Sequence, residues 1–241
     1  VLRLPVQPSR GNFYEASAAK ALSHAARIDV TYFERHMSDF ADDDVLLNTG
    51  VSFPIAFSSA EVRGTEVTFD VPHWKRLSAS ASYGWQRGTG RLPITGGLFL
   101  GDEATSLLTS TTEFPITQDQ RQTIRGRAAW QAAEALWTAV AASYGSGLPV
   151  EFDGTRADAL AQYGQRIVDR VDFDNGRVRP SLSLDAAVGV VIAKSGARRL
   201  TVQADVRNLT DRLNVINFAG LFSGTAIATP RSVAVRLRAD W

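Results

Sequence analysis

The residues that could carry out catalysis in this sequence are few and scattered. Histidine is the usual general base at neutral pH, and the chain has three, His24, His36 and His73. A nucleophilic hydroxyl needs such a base within hydrogen-bond reach, and no asparagine, serine and histidine occur together in the pattern that this requires. The sequence has no cysteine, which excludes thiolate chemistry and Cys-ligated metals. We therefore expect no catalytic residues and no enzymatic activity.

The sequence also gives little support for a metal site or a phosphate-binding site. Asp102 and Glu103 in GGLFLGDEA could bind calcium, but solvated loop acids are the simpler interpretation. The glycines of TGGLF and GSGLP do not lie between a strand and a helix, so they indicate turns and not a phosphate-binding loop. The formal net charge is +1, which gives no reason to expect nucleic-acid binding. The sequence predicts no metal, no cofactor and no nucleic-acid partner.

The charged residues follow a two-residue period, which indicates strands with one wet face and one apolar face. In the last strand the apolar face consists of Val233, Val235, Leu237, Ala239 and Trp241. The charged residues expected on the wet faces of several strands are Glu66, Asp70, Arg125, Arg127, Asp185, Asp205, Arg207, Arg236 and Arg238. Any water-facing interior requires such a wall, and a specific role toward a substrate is the alternative.

Counting this alternation along the chain predicts about nine strands and almost no helix. Their expected ranges are 12–22, 27–38, 56–71, 76–87, 120–131, 136–146, 178–192, 199–209 and 231–241. Tight turns alternate with long polar segments, which are 39–55, 88–119, 147–177 and 210–229. An up-and-down antiparallel sheet would then carry its tight turns at one end and its long loops at the other. That sorting is typical of outer-membrane barrels, which have short periplasmic turns and long extracellular loops.

The aromatic residues indicate a membrane independently, because Trp and Tyr gather at bilayer interfaces. None of the five tryptophans falls in the middle of a predicted strand, as some would in a soluble core. The predicted interface aromatics are Trp74, Tyr83, Trp85, Trp130, Trp137, Tyr144 and Trp241. We therefore predict part of a transmembrane β-barrel, in contact with the lipid bilayer of the cell outer membrane.

Several stretches resemble TonB-dependent outer-membrane receptors, and they occur in that family's order. They are RGNFYEASAAKAL, RIDVTYFERHMSDF, AEVRGTEVTFDVP, DQRQTIRGRAAW, ASYGSGLPV, DVRNLTDRLNVINFAG and PRSVAVRLRADW. The most specific piece is the run from Asn208 to Asp211, which is followed by a long loop and Pro-Arg. Together these stretches cover nearly the whole chain, so residues 1–241 resemble the C-terminal portion of the receptor barrel.

The resemblance implies an all-β, antiparallel up-and-down barrel of about 22 strands, of which this chain would supply about nine. It also implies an N-terminal plug domain and a TonB-coupling box, which the sequence lacks, as it lacks a signal peptide. We therefore expect a fragment whose partners are its missing plug and remaining barrel strands, and TonB–ExbB–ExbD through the missing N-terminal part. The barrel assembly machinery is a further implied partner. Its signal would be Val233, Val235, Leu237, Ala239 and Trp241, where the family usually ends in Phe.

The function that the resemblance implies is active import of a scarce small molecule, such as a siderophore, cobalamin or an oligosaccharide, with energy from TonB. Aromatic residues of the long loops are the predicted substrate contacts: Phe99, Phe114, Phe152, Tyr163, Phe173, Phe218 and Phe222. Two alternatives stay open. A passive porin would need an even and complete set of strands, and a soluble β-sandwich binding module would give a monomer that needs no detergent.

Overall fold

The computed structural model of the 241-residue chain describes residues 2–45, 52–100, 108–150, 152, 154–196, 198–220 and 224–240. Its strands, in chain order, are β1 (Leu2–Leu4), β2 (Arg10–Ala21), β3 (Arg27–Val45), β4 (Ser52–Trp74), β5 (Leu77–Leu100), β6 (Glu113–Pro115), β7 (Gln122–Gln131), β8 (Leu136–Gly145), β9 (Val171–Asp172), β10 (Arg177–Val178), β11 (Ser181–Ser195), β12 (Arg198–Arg207), β13 (Val215–Gly220), β14 (Gly224–Ile227) and β15 (Ser232–Asp240). Two helices, α1 (Arg156–Tyr163) and α2 (Gln165–Val168), lie between β8 and β9. Among the described helices, none is long and apolar enough to cross a membrane.

Nine of the described strands form one continuous up-and-down sheet. Its order is β15-β12-β11-β8-β7-β5-β4-β3-β2, and every neighbouring pair is antiparallel. The short strands β1 and β6 also pair with β5. Each of the nine strands lies beside the ones that precede and follow it along the chain, as in the wall of an up-and-down barrel. The prediction of about nine antiparallel up-and-down strands is confirmed.

Tight turns connect the strands at one end of the sheet, which we call the turn end. The Leu22 N–H donates to the Ala26 carbonyl at 2.9 Å between β2 and β3, and residues 133–136 close a similar turn between β7 and β8. Gly196 follows β11 with a φ of 60°, a left-handed conformation that glycine adopts without steric cost. The long connections lie at the opposite end, which we call the loop end. The predicted sorting of short and long connections is confirmed for the long connections β5–β7, β8–β11 and β12–β15, whereas the connection between β3 and β4, predicted to be long, spans only residues 46–51.

The strands extend further toward the loop end than predicted. β3, β4 and β5 have 19, 23 and 24 residues, and β3 stays paired with β4 up to Val45 opposite Ser52. Most of the predicted loop 39–55 and the start of the predicted loop 88–119 are therefore strand, and those boundaries were wrong. The prediction followed alternation between apolar and polar side chains. Backbone hydrogen bonds of a ladder form whatever the side chains are, so pairing continues where that alternation ends.

The pairing register divides the sheet into two faces. Phe69, Ala81, Gly126, Ala142 and Leu184 form one row across five strands of what we call the outer face. Large apolar side chains on this face are exposed: 58% of Val140 and 72% of Val235 is accessible. A patch of this extent exceeds what soluble monomers normally expose. The outer face therefore requires an apolar partner.

The buried apolar residues of the described chain lie at the loop end. One group, which we call the loop core, consists of Ala159, Val168, Val171, Val178, Val215 and Phe218. A second group, from the upper parts of β4 and β5, consists of Ile55, Leu92 and Ile94. In α1, which supplies Ala159, a capping box begins the helix: the Thr155 N–H donates to Asp158 Oδ2 at 2.9 Å, and the Asp158 N–H donates to Thr155 Oγ1 at 3.3 Å. The long loops are thus packed structures with cores of their own.

Candidate functional site

The face opposite the outer face carries a band of charged and hydroxyl side chains, which we call the inner wall. The register places Arg27 beside Asp70, Asp70 beside Ser80, and Ser80 beside Arg127. Arg127 Nε donates to Ser80 Oγ at 2.9 Å. A groove of about 840 Å³ along this band is lined by residues of every strand from β3 to β15 in sheet order. A groove shared by so many neighbouring strands shows that the inner wall is concave.

Ion pairs and hydrogen bonds hold the polar groups of the inner wall in place. Arg236 Nε lies 3.2 Å from Asp205 Oδ2, and Gln203 Nε2 donates to Asp205 Oδ1 at 2.6 Å. Asp185 Oδ1 accepts the Asn208 N–H at 2.9 Å. The charged residues that the sequence assigned to the wet face all lie on the inner wall: Glu66, Asp70, Arg125, Arg127, Asp185, Asp205, Arg207, Arg236 and Arg238. The predicted charged face is confirmed, and its chemistry suits water and polar solutes.

A buried carboxylate, which the sequence reasoning missed, fastens two long loops together. Asp119, in the loop before β7, is fully buried. Its Oδ1 accepts the Gly88 N–H at 2.8 Å, and its Oδ2 accepts Arg121 Nε at 2.8 Å and also a terminal nitrogen of Arg177. Arg177 donates in addition to the Asp119 backbone carbonyl at 2.7 Å. We call Asp119, Arg121, Arg177 and the Gly88 N–H the Asp119 latch.

The balance of forces in the Asp119 latch favours the ionised carboxylate. Burial raises the pKa of Asp119, because it disfavours the charged form. The hydrogen bonds from Arg121, the Gly88 N–H and Arg177 act in the opposite direction and outweigh burial. The pKa of Asp119 therefore lies below its ordinary value, and the latch is charged at neutral pH.

Four of the predicted substrate contacts pack against one another in and around the loop core. The Phe218 ring centroid lies 4.8 Å from that of Tyr163, 5.6 Å from that of Phe152 and 6.0 Å from that of Phe173. Phe218 is fully buried, so in this arrangement it holds the loops together and offers no ring surface to a solute. Its position does not agree with the predicted direct contact. Phe152, Tyr163 and Phe173 are partly exposed, and substrate contact stays a proposal for them.

The other three predicted substrate contacts lie elsewhere. Phe114 packs beside Phe57 with ring centroids 4.7 Å apart, and it covers Gly90 so closely that a Cβ there would lie 2.5 Å from the Phe114 ring. This ring therefore belongs to the second apolar group and not to the loop core. Phe99 lies in β5, but its side chain is outside the described residues, and so is the whole of Phe222.

Two rows of aromatic side chains bracket the outer face. At the turn end, Trp74 and Trp130 flank Leu77 in the register, and each is 53% exposed. Nearer the loop end, the outer-face row consists of Tyr83, Trp85 and Tyr144. Trp241, predicted to join the row at the turn end, lies outside the described residues. The two rows have the positions expected of aromatic belts on either side of an apolar band.

Trp137 does not belong to either row. It pairs with Gly189 on the inner wall, and a Cβ at Gly189 would lie 2.3 Å from the Trp137 ring. The prediction of an interface position relied on its closeness to a tight turn and ignored the alternation of side chains along β8. That prediction is wrong, because a ring on the inner wall cannot lie in lipid.

The described residues of the predicted assembly signal share the outer face of β15, and Trp241 lies outside the described residues. Val233, Val235 and Leu237 are about 70% exposed, and Ala239 continues the row. β15 pairs with β12, and in the described sheet its other edge has no partner. A role for these residues in assembly stays a proposal.

Comparisons with known proteins agree with this geometry. Residues 4–209 match the family model described as TonB dependent receptor-like, beta-barrel. A search of curated protein sequences finds no significant match.

Solved structures show the same fold at low sequence identity. The ferric-catecholate import receptor Fiu from E. coli K12 is 16% identical with a TM-score of 0.60, over 97% of this chain and 28% of that one. The ferripyoverdine receptor of the outer membrane of Pseudomonas aeruginosa is 14% identical with a TM-score of 0.62, over 98% and 28%. The siderophore receptor PiuA from Acinetobacter baumannii is 13% identical with a TM-score of 0.63, over 96% and 28%. The chain thus spans less than a third of the length of these receptors, and it belongs to the TonB-dependent receptor family as a portion of the β-barrel.

Proposed function

We propose that the chain is part of an outer-membrane receptor that imports a scarce small molecule by active transport. The observation that carries this proposal is the division of one sheet into an exposed apolar outer face and a charged concave inner wall, in a chain that matches the receptor barrel family. A barrel wall between lipid and a hydrated interior needs this division. The substrate classes are siderophores, cobalamin and oligosaccharides. Ferric-catecholate import by Fiu and copper transport by OprC, two structural neighbours, support an import role.

The orientation in the membrane follows from the two ends of the sheet. The apolar outer face between the aromatic rows contacts the hydrocarbon of the cell outer membrane, and Trp74 and Trp130 lie at its periplasmic interface. The turn end faces the periplasm and the loop end faces the outside, as is general for bacterial barrels. The loop core and the Asp119 latch then stand above the bilayer, where an arriving solute first meets the protein.

The proposal also includes further barrel strands and a plug domain, which would lie outside residues 1–241. In the described sheet, β2 and β15 each have one strand neighbour. An unpaired strand edge in hydrocarbon leaves backbone groups without hydrogen bonds, at a cost of several kcal/mol for each group. We therefore propose that residues 1–241 form the C-terminal portion of a larger barrel that encloses a plug. The plug would interact with TonB–ExbB–ExbD, and the outer face of β15 would interact with the barrel assembly machinery.

The test is uptake by the complete receptor in intact cells. The protein is expressed in a strain without its own importers, and uptake is measured with a panel of labelled ferric siderophores, cobalamin and oligosaccharides. We expect uptake of at least one class, and we expect it to fall to background when TonB is removed. Uptake that is independent of TonB would indicate a passive porin. Recovery of the protein in the soluble fraction would contradict the membrane assignment.

A further inference from the structure

Three arginines meet where β11 begins, at the loop end. Arg170 follows α2, Arg179 follows β10, and Arg212 lies between β12 and β13. A terminal nitrogen of Arg170 and one of Arg212 donate to the same atom, the Pro180 carbonyl oxygen, each at 3.0 Å. Two guanidinium groups therefore face each other across a single neutral oxygen. We call Arg170, Arg179 and Arg212 the arginine cluster.

No carboxylate of the described residues forms an ion pair with the arginine cluster. Asp172 is within electrostatic reach of Arg179, but its oxygens accept the Asn175 N–H at 3.2 Å and Asn175 Nδ2 at 2.9 Å. Among the described residues, no carboxylate is therefore bonded directly to the cluster. Like charges that are held together without a counter-ion repel each other.

The electrostatics of Arg170 agree with this arrangement. Burial lowers the pKa of the Arg170 guanidinium, and the charges of Arg212 and Arg179 lower it further. The Nε of Arg170 is buried and has no hydrogen-bond partner in the described part of the chain. A buried donor that is left unpaired costs more than an ordinary hydrogen bond gains. This buried donor and the mutual repulsion of the guanidinium groups both leave the cluster destabilised, and an anion beside its terminal nitrogens would offset the repulsion.

Space for such a ligand lies next to the cluster. Arg212 lines a groove of about 620 Å³ together with Tyr163, Arg166 and Asp211. The Asp211 carboxylate lies 3.3 Å from a terminal nitrogen of Arg231, which balances its charge. This volume lies within the range of sites for small molecules, about 300–1,000 Å³. Most of the groove wall is contributed by the connection between α1 and α2 and by the segments that flank the β13–β14 ribbon. A solute could bring an anionic group to the arginines and rest its remaining atoms in the groove.

We propose that the arginine cluster binds the carboxylate or phosphate oxygens of a small anionic solute. Guanidinium groups suit this role because their planar forks donate two parallel hydrogen bonds to one oxyanion. The solute class is a polycarboxylate or a phosphorylated molecule. Only the identification of this solute as the transported substrate rests on the proposed import function. The same phosphate chemistry is found in lipid headgroups, so the experiment separates the two sources.

The experiment measures the binding of citrate and of inorganic phosphate to the purified full-length protein by calorimetry at constant ionic strength. Arg170→Gln and Arg212→Gln should each weaken binding about tenfold, the value of one charge-assisted hydrogen bond. Arg156→Gln is the matched control, because Arg156 is an exposed arginine of the same loop outside the cluster. Arg212→Lys keeps the charge without the planar fork and should give an intermediate affinity. Thermal unfolding of each variant reports whether the loop still folds.

The outcomes separate the site from the transport proposal. Absence of saturable binding of either anion, or an equal loss in Arg156→Gln, would overturn the arginine-cluster proposal. Binding that is seen only with nanodiscs of anionic phospholipid, and not with the free anions, would overturn the choice of a solute. Binding of the free anions that depends on Arg170 and Arg212, in a receptor that shows no TonB-dependent uptake, would support the site while the import proposal fails.

Discussion

Removal of the Asp119 carboxylate should release two long loops from each other while the sheet stays intact. The latch joins the loop before β7 to the segment between β8 and β11, through Arg177. Asp119→Ala removes the carboxylate that accepts from the Gly88 N–H, Arg121 and Arg177, while Arg177 keeps its bond to the backbone carbonyl of residue 119. None of the ladder hydrogen bonds between the strands involves the Asp119 side chain. The loss of stability should therefore be local.

The structure sets the size of this effect. Removal of one partner of a buried ion pair costs about 3–5 kcal/mol. The side chain of Arg121 is 41% exposed and that of Arg177 is 21% exposed, so water solvates part of the charge that Asp119→Ala leaves unpaired. We therefore expect the lower end of the range, about 3 kcal/mol. This corresponds to roughly a 100-fold increase in the population of the open loop.

Amide hydrogen exchange measures that population. The Val178 N–H donates to the Leu148 carbonyl at 2.9 Å within the segment that Arg177 anchors and does not contact Asp119, so it reports the opening of that segment and not the loss of its own acceptor. Its exchange should become about 100-fold faster in Asp119→Ala, and less so in Asp119→Asn, which keeps an acceptor oxygen. Asp174→Ala is the control, an exposed carboxylate of the same loop. Unchanged Val178 exchange in Asp119→Ala, or an equal increase in Asp174→Ala, would refute the latch.

Three further predictions concern pH, the faces and the topology. The lowered pKa of Asp119 means that the latch is fully stabilising above the ordinary carboxylate pKa, about 3.9, and is lost as the pH falls through the lowered value. The exchange rate of the Val178 amide, corrected for its intrinsic pH dependence, should therefore be the same at about pH 7 and pH 5 and rise only below about pH 4. A faster corrected exchange rate at about pH 6 would contradict this prediction. A cysteine at Ser80 should react with a water-soluble reagent, while a cysteine at Ala81 should not, and the reverse labelling would exchange the two faces. Ala81→Arg should make folding into vesicles less favourable by roughly 2–4 kcal/mol, measured in a folding titration. An epitope tag at Gly154 should bind antibody on intact cells and one at Gly196 should not, and the opposite result would invert the topology.

The sequence predicts the strands of this protein because the bilayer fixes their pattern. A strand between lipid and water must alternate, and Ser80 and Ala81 show this period directly. Above the membrane the outer face no longer meets lipid, so the pattern ends although the ladder continues to Val45 in β3. Predictions from periodicity therefore find the membrane-spanning part of each strand and lose its extension.

The latch and the arginine cluster could not be predicted in the same way. Asp119 and Arg177 are 58 residues apart, and neither lies in a periodic segment. The DQR stretch places Arg121 two residues from Asp119, which is a weak signal for half of the latch. Arg170 and Arg212 come from two different loops and meet because both donate to the Pro180 carbonyl. Contacts of this kind depend on how the loops pack, and the loops pack through apolar residues that carry no regular spacing.

The steric pattern of the inner wall determines where its groove is open. At two levels a bulky ring on one strand covers a glycine on the next: Phe33 covers Gly64 toward the loop end, and Trp137 covers Gly189 at the turn end. A Cβ at Gly64 or Gly189 would lie within 2.5 Å of the ring that covers it, so each pair fits only as it stands. Between these levels the wall is formed by small hydroxyl side chains such as Ser80 and by charged residues, and there the groove is open. Rings therefore occupy the ends of this part of the wall and leave its middle open to water, as the hydrated side of a barrel wall requires.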